Sequence, residues 1–169
     1  MRKEGRSGRF GAFLLAQNAM LLTFPLLTVS AMCIIALLVG NHYEVQYVAS
    51  VSSRAMPTYL KATALWGGQA GSLFFWSWLM SAFTSSVALR NWERDKEFLP
   101  WVLVVSALTT LFFLGLLIFF ENPFERLWTI VTGEVIPAMF QPGGASLYIP
   151  ADGMGLNPLL RHPGMIIHP

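Results

Sequence analysis

The sequence predicts an all-α, multi-pass transmembrane helical protein with about three membrane spans and an irregular tail. Hydrophobic residues make up 54% of the chain and charged residues only 12%, against about 25% charged in a typical soluble domain. Mean hydropathy is +0.54. Three separate stretches each supply the roughly 20 apolar residues a helix needs to cross a hydrocarbon core about 30 Å thick. The net charge of +2 is small and the basic residues are scattered, which excludes nucleic-acid binding, since that requires a basic patch or stripe.

The first stretch lies within residues 13–40 and becomes membrane-compatible from about Met20, because Gln17 and Asn18 sit near its start. Pro25 falls in its first turns, where it can kink the helix. The second stretch covers residues 68–89. The third covers residues 99–120 without a charged residue, and Pro100 fits its first turn, where a missing N–H costs nothing. Arg2, Lys3, Arg6 and Arg9 ahead of an apolar stretch also suit a cleaved signal peptide. That stretch, however, exceeds the usual apolar region of about 7–15 residues and no small-x-small site closes it, so a retained helix is the preferred reading.

Lysine and arginine cluster in the first residues and again at Arg90, Arg94 and Lys96, whereas residues 41–57 carry only Arg54. The positive-inside rule then places the N-terminus and the 90–98 connector in the cytoplasm. The expected organisation is a basic cytoplasmic tail at 1–11, a transmembrane region at 12–120 and an exported segment at 121–169, incomplete at its C-terminus. Residues 41–57 and everything after residue 120 are then expected outside, in the periplasm if the cell has one. Seven prolines and six glycines in the last 49 residues forbid long helices and favour irregular structure, with a short interfacial helix expected around residues 127–140.

Ser77, Ser81 and Ser85 recur every fourth residue along one helix face, and Gly67 and Gly71 share that spacing. Small residues at this interval first indicate close helix packing. Trp66, Trp76, Trp78, Tyr59 and Phe74 crowd one end of the second stretch. They suit an aromatic belt at the membrane surface and, alternatively, an apolar wall for a flat cofactor such as haem. Lys61 can reach a lipid headgroup or a haem propionate. Cys33 is a lone thiol in an apolar run, read as a small buried residue. His42, His162 and His168 each have the chemistry of an axial haem ligand, although a single histidine in a loop is first a solvated side chain. HExxH, CxxC, GxSxG and phosphate-binding glycine loops are absent from the sequence.

Several segments recur in a characteristic order: Tyr47-Val48-Ala49; residues 57–64 with Tyr59 and Lys61; Trp66-Gly67-Gly68-Gln69 with Gly71-Ser72; Asn122-Pro123-Phe124; Ala151-Asp152-Gly153; Leu156-Asn157-Pro158-Leu159-Leu160; and His168-Pro169. In this order they resemble the N-terminal part of the cytochrome c maturation haem lyase family (CcmF/NrfE type). The match covers about residues 41–126 and 150–169.

The resemblance implies a protein that receives haem from a membrane-anchored haem chaperone and holds it on the exported side. There it would be positioned against apocytochrome c, delivered with its thiol-handling maturation proteins, so that thiols of a CxxCH motif add to the haem vinyl groups. Haem is the transferred substrate, and in the complete protein also a candidate bound cofactor. By the same resemblance His168 is the axial ligand to haem iron, and Trp66 and Lys61 are candidate haem contacts. Gly67, Gly68, Gln69, Gly71, Ser72, Asn157 and Pro158 are motif positions. Membrane lipids and the remaining helices of the same family protein are the other implied partners. Catalysis would come from orientation, so no catalytic residue is assigned and the fragment by itself is expected to be inactive.

The chain departs from the family pattern at Ala70, where an acidic residue is common, in a missing first helix, and in about 20 extra residues at 128–148. It is expected to be an N-terminal fragment, truncated or one piece of a split protein. A second class of function is a structural or assembly subunit of a membrane complex without haem contact. A transporter fragment ranks below both, because the spans carry almost no ionisable residue to line a pathway.

Overall fold

In a computed structural model, residues 4–89, 97–162 and 164 are described, with side chains from Leu15 onward except Ala16. Helix α1 spans Glu4–Gly40 and continues through Pro25. Short helices α2 (Gln46–Val51) and α3 (Thr58–Thr63) and a 3-10 turn at Ala64–Trp66 follow. Helix α4 spans Gln69–Leu89 and α5 spans Leu99–Phe119. Three strands, β1 (Arg126–Thr129), β2 (Val135–Ala138) and β3 (Ser146–Leu147), precede a 3-10 turn at Pro158–Arg161.

Three helical segments are long and apolar enough to cross a membrane: Gln17–Gly40, Gln69–Leu89 and Leu99–Phe119. The predicted all-α, three-span architecture holds, within one to three residues at the ends. Only 11%, 33% and 17% of these segments is buried within the chain, so most of their side chains face outward, as lipid-facing helices require. The best-covered is α4, which packs between α1 and α5. Its serine stripe lies on the packed face: Ser77, Ser81 and Ser85 are all buried. Ser77 and Ser81 donate to their own helix at Leu73 and Trp78, whereas Ser85 donates across to the Met20 carbonyl of α1. Gln17 Nε2 donates to the Ala88 carbonyl (2.7 Å) and Trp78 Nε1 to Thr28 Oγ1 (2.9 Å), giving two more links between α1 and α4. Cys33 is exposed on the surface of α1, which corrects the buried reading. A lone thiol in a lipid-facing position needs no cover from the rest of the chain.

The main core lies at one end of the spans and extends beyond them. Ile34 and Leu38 at the end of α1 and Ala70 and Phe74 at the start of α4 pack with Tyr43, Val45, Tyr47, Val48, Val51, Met56, Leu60, Leu65 and Leu156. The connection between α1 and α4 and the segment after α5 therefore fold together into one head. The two segments are joined backbone to backbone: Gln46 N–H donates to Glu125 (2.9 Å), Leu127 N–H to Glu44 (2.8 Å), Met154 N–H to Ala49 (2.8 Å) and Gly155 N–H to Ser52 (3.0 Å).

Helix α1 ends in a Schellman closure. Asn41 takes the left-handed conformation (φ 59°), His42 N–H returns to the Leu37 carbonyl and Asn41 N–H to that of Leu38. Asparagine tolerates this region better than most residues. After α5 the structure corrects the expected interfacial helix at 127–140. Residues 126–138 form a β-hairpin, and with β3 a small antiparallel sheet of order β2-β1-β3. Arg126 pairs with Ala138 at its base and Thr129 with Val135 near its tip. Gly133 (φ 85°) supplies the positive φ that the turn needs, and Trp128 Nε1 donates to the Ala138 carbonyl, fastening the base.

Candidate functional site

The segments singled out in the sequence converge in the head. The glycine-rich run connects the 3-10 turn to α4 and is packed around Tyr47 of α2. The Tyr47 hydroxyl lies 2.8 Å from the Ala64 carbonyl, which also accepts from Gly67 N–H, and 3.1 Å from that of Leu65, donating to the pair. Burial pushes this phenol above its ordinary value, against the opposing pull of the Gly68 and Gly71 amides. It is therefore a neutral structural donor at any physiological pH. Gly71 has to be glycine, because a Cβ there would fall 1.9 Å from Tyr47 Oη and 2.0 Å from the Leu65 oxygen. A Cβ at Gly67 would meet Leu156 at 2.4 Å. Gln69, exposed, opens α4, and Ser72 Oγ donates back to the Trp66 carbonyl (2.8 Å).

Asp152 latches the late segment to the early one. Its Oδ1 accepts from the amides of Arg54 and Gly153, both at 2.8 Å. Those two donors, the Arg54 amide first, hold the carboxyl below its usual range. Gly153 lies against the backbone, where a Cβ would come 2.1 Å from the Ser52 oxygen. Leu156 then enters the core, and Asn157 Oδ1 caps the turn begun by Pro158 by accepting from Leu159 N–H (3.0 Å). Asn122 does the same for the Phe124 amide after α5.

Lys61 is placed differently from a residue reaching for a headgroup or propionate. It is buried, at 6% exposure, and its ammonium donates to Asn41 Oδ1, which also accepts from the Tyr43 hydroxyl (3.0 Å). The asparagine that ends α1 therefore anchors α3.

The aromatic residues divide into two sets. Tyr59 and Trp76 are exposed, as a belt would be. Trp66, Phe75, Trp78 and Phe24 form a row between α4 and α1, with successive ring centroids 5.3, 5.9 and 5.8 Å apart. An apolar recess of about 180 Å³ beside the row is lined by Leu65, Phe74, Phe75 and Trp78 with residues of α1. Ligand pockets usually hold about 300–1,000 Å³, so this recess does not enclose a porphyrin. A polar cleft of about 360 Å³ lies where α2, the start of α4 and the exit of α5 meet, lined by Gln46, Ser50, Gln69, Asn122, Glu121 and Glu125 among others.

Of the two described histidines, His42 has the carboxylate contact that orients an imidazole and leaves its Nε2 without a hydrogen bond among the described residues, whereas His162 uses Nδ1 locally. His42 Nδ1 is 2.9 Å from Glu44 Oε1 and its ring folds over Gly40, while His162 Nδ1 accepts from Gly164 N–H. Among the described residues no group of three or more His, Cys, Asp or Glu is placed to hold a metal ion. His168 and Pro169 lie outside the described residues, as do residues 90–96 of the connector. The described part thus offers an aromatic flank and no enclosed haem pocket, and no chemical step is derived through haem from it. Sequence reading missed the structural roles of Tyr47, Asn41 and Asp152. The signals were an asparagine closing a long apolar helix and an Asp-Gly pair in a loop.

No protein-family model matches the chain, and no solved structure matches it. Curated relatives do. The cytochrome c-type biogenesis protein CcmF of Pseudomonas fluorescens is 33% identical over 155 residues, which is 92% of this chain and 21% of the relative. CcmF of Escherichia coli K12 is 34% identical over 131 residues, 78% of this chain and 18% of the relative. NrfE of Haemophilus influenzae is 32% identical over 129 residues, 76% and 17% respectively. The chain spans about one fifth of the length of these relatives. With that similarity running through most of its length, the chain belongs to the CcmF/NrfE family of cytochrome c-type biogenesis proteins.

Proposed function

We propose that this chain acts in cytochrome c maturation as the early part of a membrane haem lyase, with its head on the exported face of a bacterial plasma membrane. The observation that carries this reading is the convergence of family segments from both halves of the chain on one head, built on Tyr47, Gly71 and Asp152. Such a head is a rigid platform. In the proposal it sets His168 over the exported surface as an axial ligand to haem, with Trp66 at the flank. The reaction served is addition of an S–H of apocytochrome c across a haem vinyl C=C, which has no leaving group and no net redox change. Positioning is then the chief contribution, and no nucleophile or general base is required of this chain. A haem chaperone, apocytochrome c with its thiol-handling proteins, and further helices of the family protein are the proposed partners.

The outward apolar faces of α1 and α5 also suit an assembly subunit that never touches haem. The two readings separate on haem. The chain is co-expressed with the remaining helices of a family protein, the assembly is purified from membranes, and its visible haem spectrum is compared with that of a His168→Ala variant. Loss of a haem signal in the variant alone is the expected result. An unchanged spectrum removes His168 as a ligand, and a folded assembly without haem in either sample favours the assembly subunit.

A further inference from the structure

The β-hairpin after α5 carries an apolar feature that neither the core nor the motif cluster uses. The register places Arg126 and Ala138 at the base of the hairpin and Thr129 and Val135 near its tip. The base sits at the exit of α5: Pro137 lines the same cleft as Phe120, Glu121 and Asn122, and Asn122 Nδ2 approaches Met139 Sδ at 3.4 Å. Strand β3 also runs antiparallel to β1, starting with Ser146 opposite Thr129. The chain leaving β2 at the base must therefore turn back and climb to reach it, and it bends at Met139–Phe140. The low point of the connection is thus an apolar pair held next to the end of a membrane-spanning helix. Phe140 is 80% exposed and Met139 50%, and at the end of α5 Phe119 and Phe120 are 80% and 78% exposed.

We infer that the Met139–Phe140 bend inserts into the interfacial layer of the lipid bilayer beside the end of α5, making the base of the hairpin a membrane contact in its own right. The occupant is lipid because the patch is continuous with a helix end that already reaches the bilayer surface, and exposed apolar side chains such as Phe bury favourably at the boundary of headgroup and acyl regions. The bend from Ala138 to Ala145 contains no lysine or arginine, so the contact is apolar and needs no anionic lipid. By contrast Val131, 84% exposed, rides at the hairpin tip on the far side from the base and stays in water.

The test attaches a nitroxide label to Phe140→Cys, and separately to Met139→Cys and Val131→Cys, each with Cys33→Ala. The chain is reconstituted in neutral phosphatidylcholine vesicles. Accessibility to oxygen, which concentrates in lipid, is compared with accessibility to a water-soluble nickel chelate. Labels at positions 139 and 140 are expected to collide several-fold more with oxygen than with nickel relative to the label at 131. Nickel accessibility at both 139 and 140 equal to that at 131 overturns the inference. So does shielding of both from both reagents, which would mean that protein covers the bend. All three sites are exposed, so none of the substitutions removes a core contact.

Discussion

Replacing Gly71 by alanine tests the head at its tightest point. The added Cβ would lie 1.9 Å from Tyr47 Oη, 2.5 Å from its Cζ and 2.0 Å from the Leu65 oxygen, so it would wedge into the hydrogen bonds that fasten α2 to the turn before α4. Overpacking of this kind costs about 1–3 kcal/mol. If Tyr47 swings away instead, the buried Leu65 carbonyl loses the Tyr47 donor, at about 1–3 kcal/mol, while Ala64 keeps Gly67 N–H. Either way the predicted loss is about 1–3 kcal/mol, or at least about 5-fold in the folding equilibrium. Reversible unfolding of the purified chain in mixed detergent–SDS micelles, followed by tryptophan fluorescence, measures it. Gly115→Ala is the control, because a Cβ there meets nothing within 4 Å; it should change stability by about 1 kcal/mol or less. Tyr47→Phe should not rescue Gly71→Ala, since Cζ and the Leu65 oxygen both remain in the way. A Gly71→Ala protein within about 0.5 kcal/mol of the parent, or full rescue by Tyr47→Phe, would refute the packing argument.

Asn41→Ala should cost about 2–4 kcal/mol in the same assay, from left-handed strain and from a buried Lys61 ammonium stripped of its acceptor; Asn41→Gly, which keeps the backbone freedom, should cost less. Asp152 has a carboxyl held below its ordinary value of 3.8, so its contribution is complete above that value and is lost as the pH falls through the lowered one. The Gly153 amide resonance should therefore titrate with a midpoint below 3.8, and a midpoint at or above it would show that the latch does not form. Trp78→Phe keeps the ring row but removes the bond to Thr28, and should weaken the α1–α4 contact by about 0.6 kcal/mol; no change would mean that the indole N–H finds another partner.

Hydropathy made the spans legible because a bilayer imposes one length and one polarity on any crossing helix. The second and third end within a residue of expectation. Helix α1 reaches back to Glu4, far beyond its membrane-compatible part, since helical propensity does not stop where the apolar run does. The hairpin was hidden by weighing the prolines and glycines of the tail above its local pattern. Leu127-Trp128-Thr129-Ile130-Val131 and Val135-Ile136, separated by a turn containing Gly133, are β-branched and aromatic runs that favour strands. The segments of the head could be read one by one, but not their meeting. Lys61 turns inward because Asn41, 20 residues earlier, is fixed by the end of α1. Nothing local to Lys61 signals that.

The latch between Arg54 and Asp152 joins residues 98 positions apart, and this sets an order of events during synthesis. At about 5–20 residues per second, roughly 5–20 s separate the appearance of its two halves. In the proposed topology, α4 and α5 must both enter the membrane in that interval. Until then Tyr43, Val48 and Met56 lack the cover that Leu156 and its neighbours later provide, on a surface already outside the cell's cytoplasmic quality control. A chaperone or the translocation machinery itself has a window of seconds in which the half-built head is recognisable, and slowing translation between residues 90 and 150 would lengthen it.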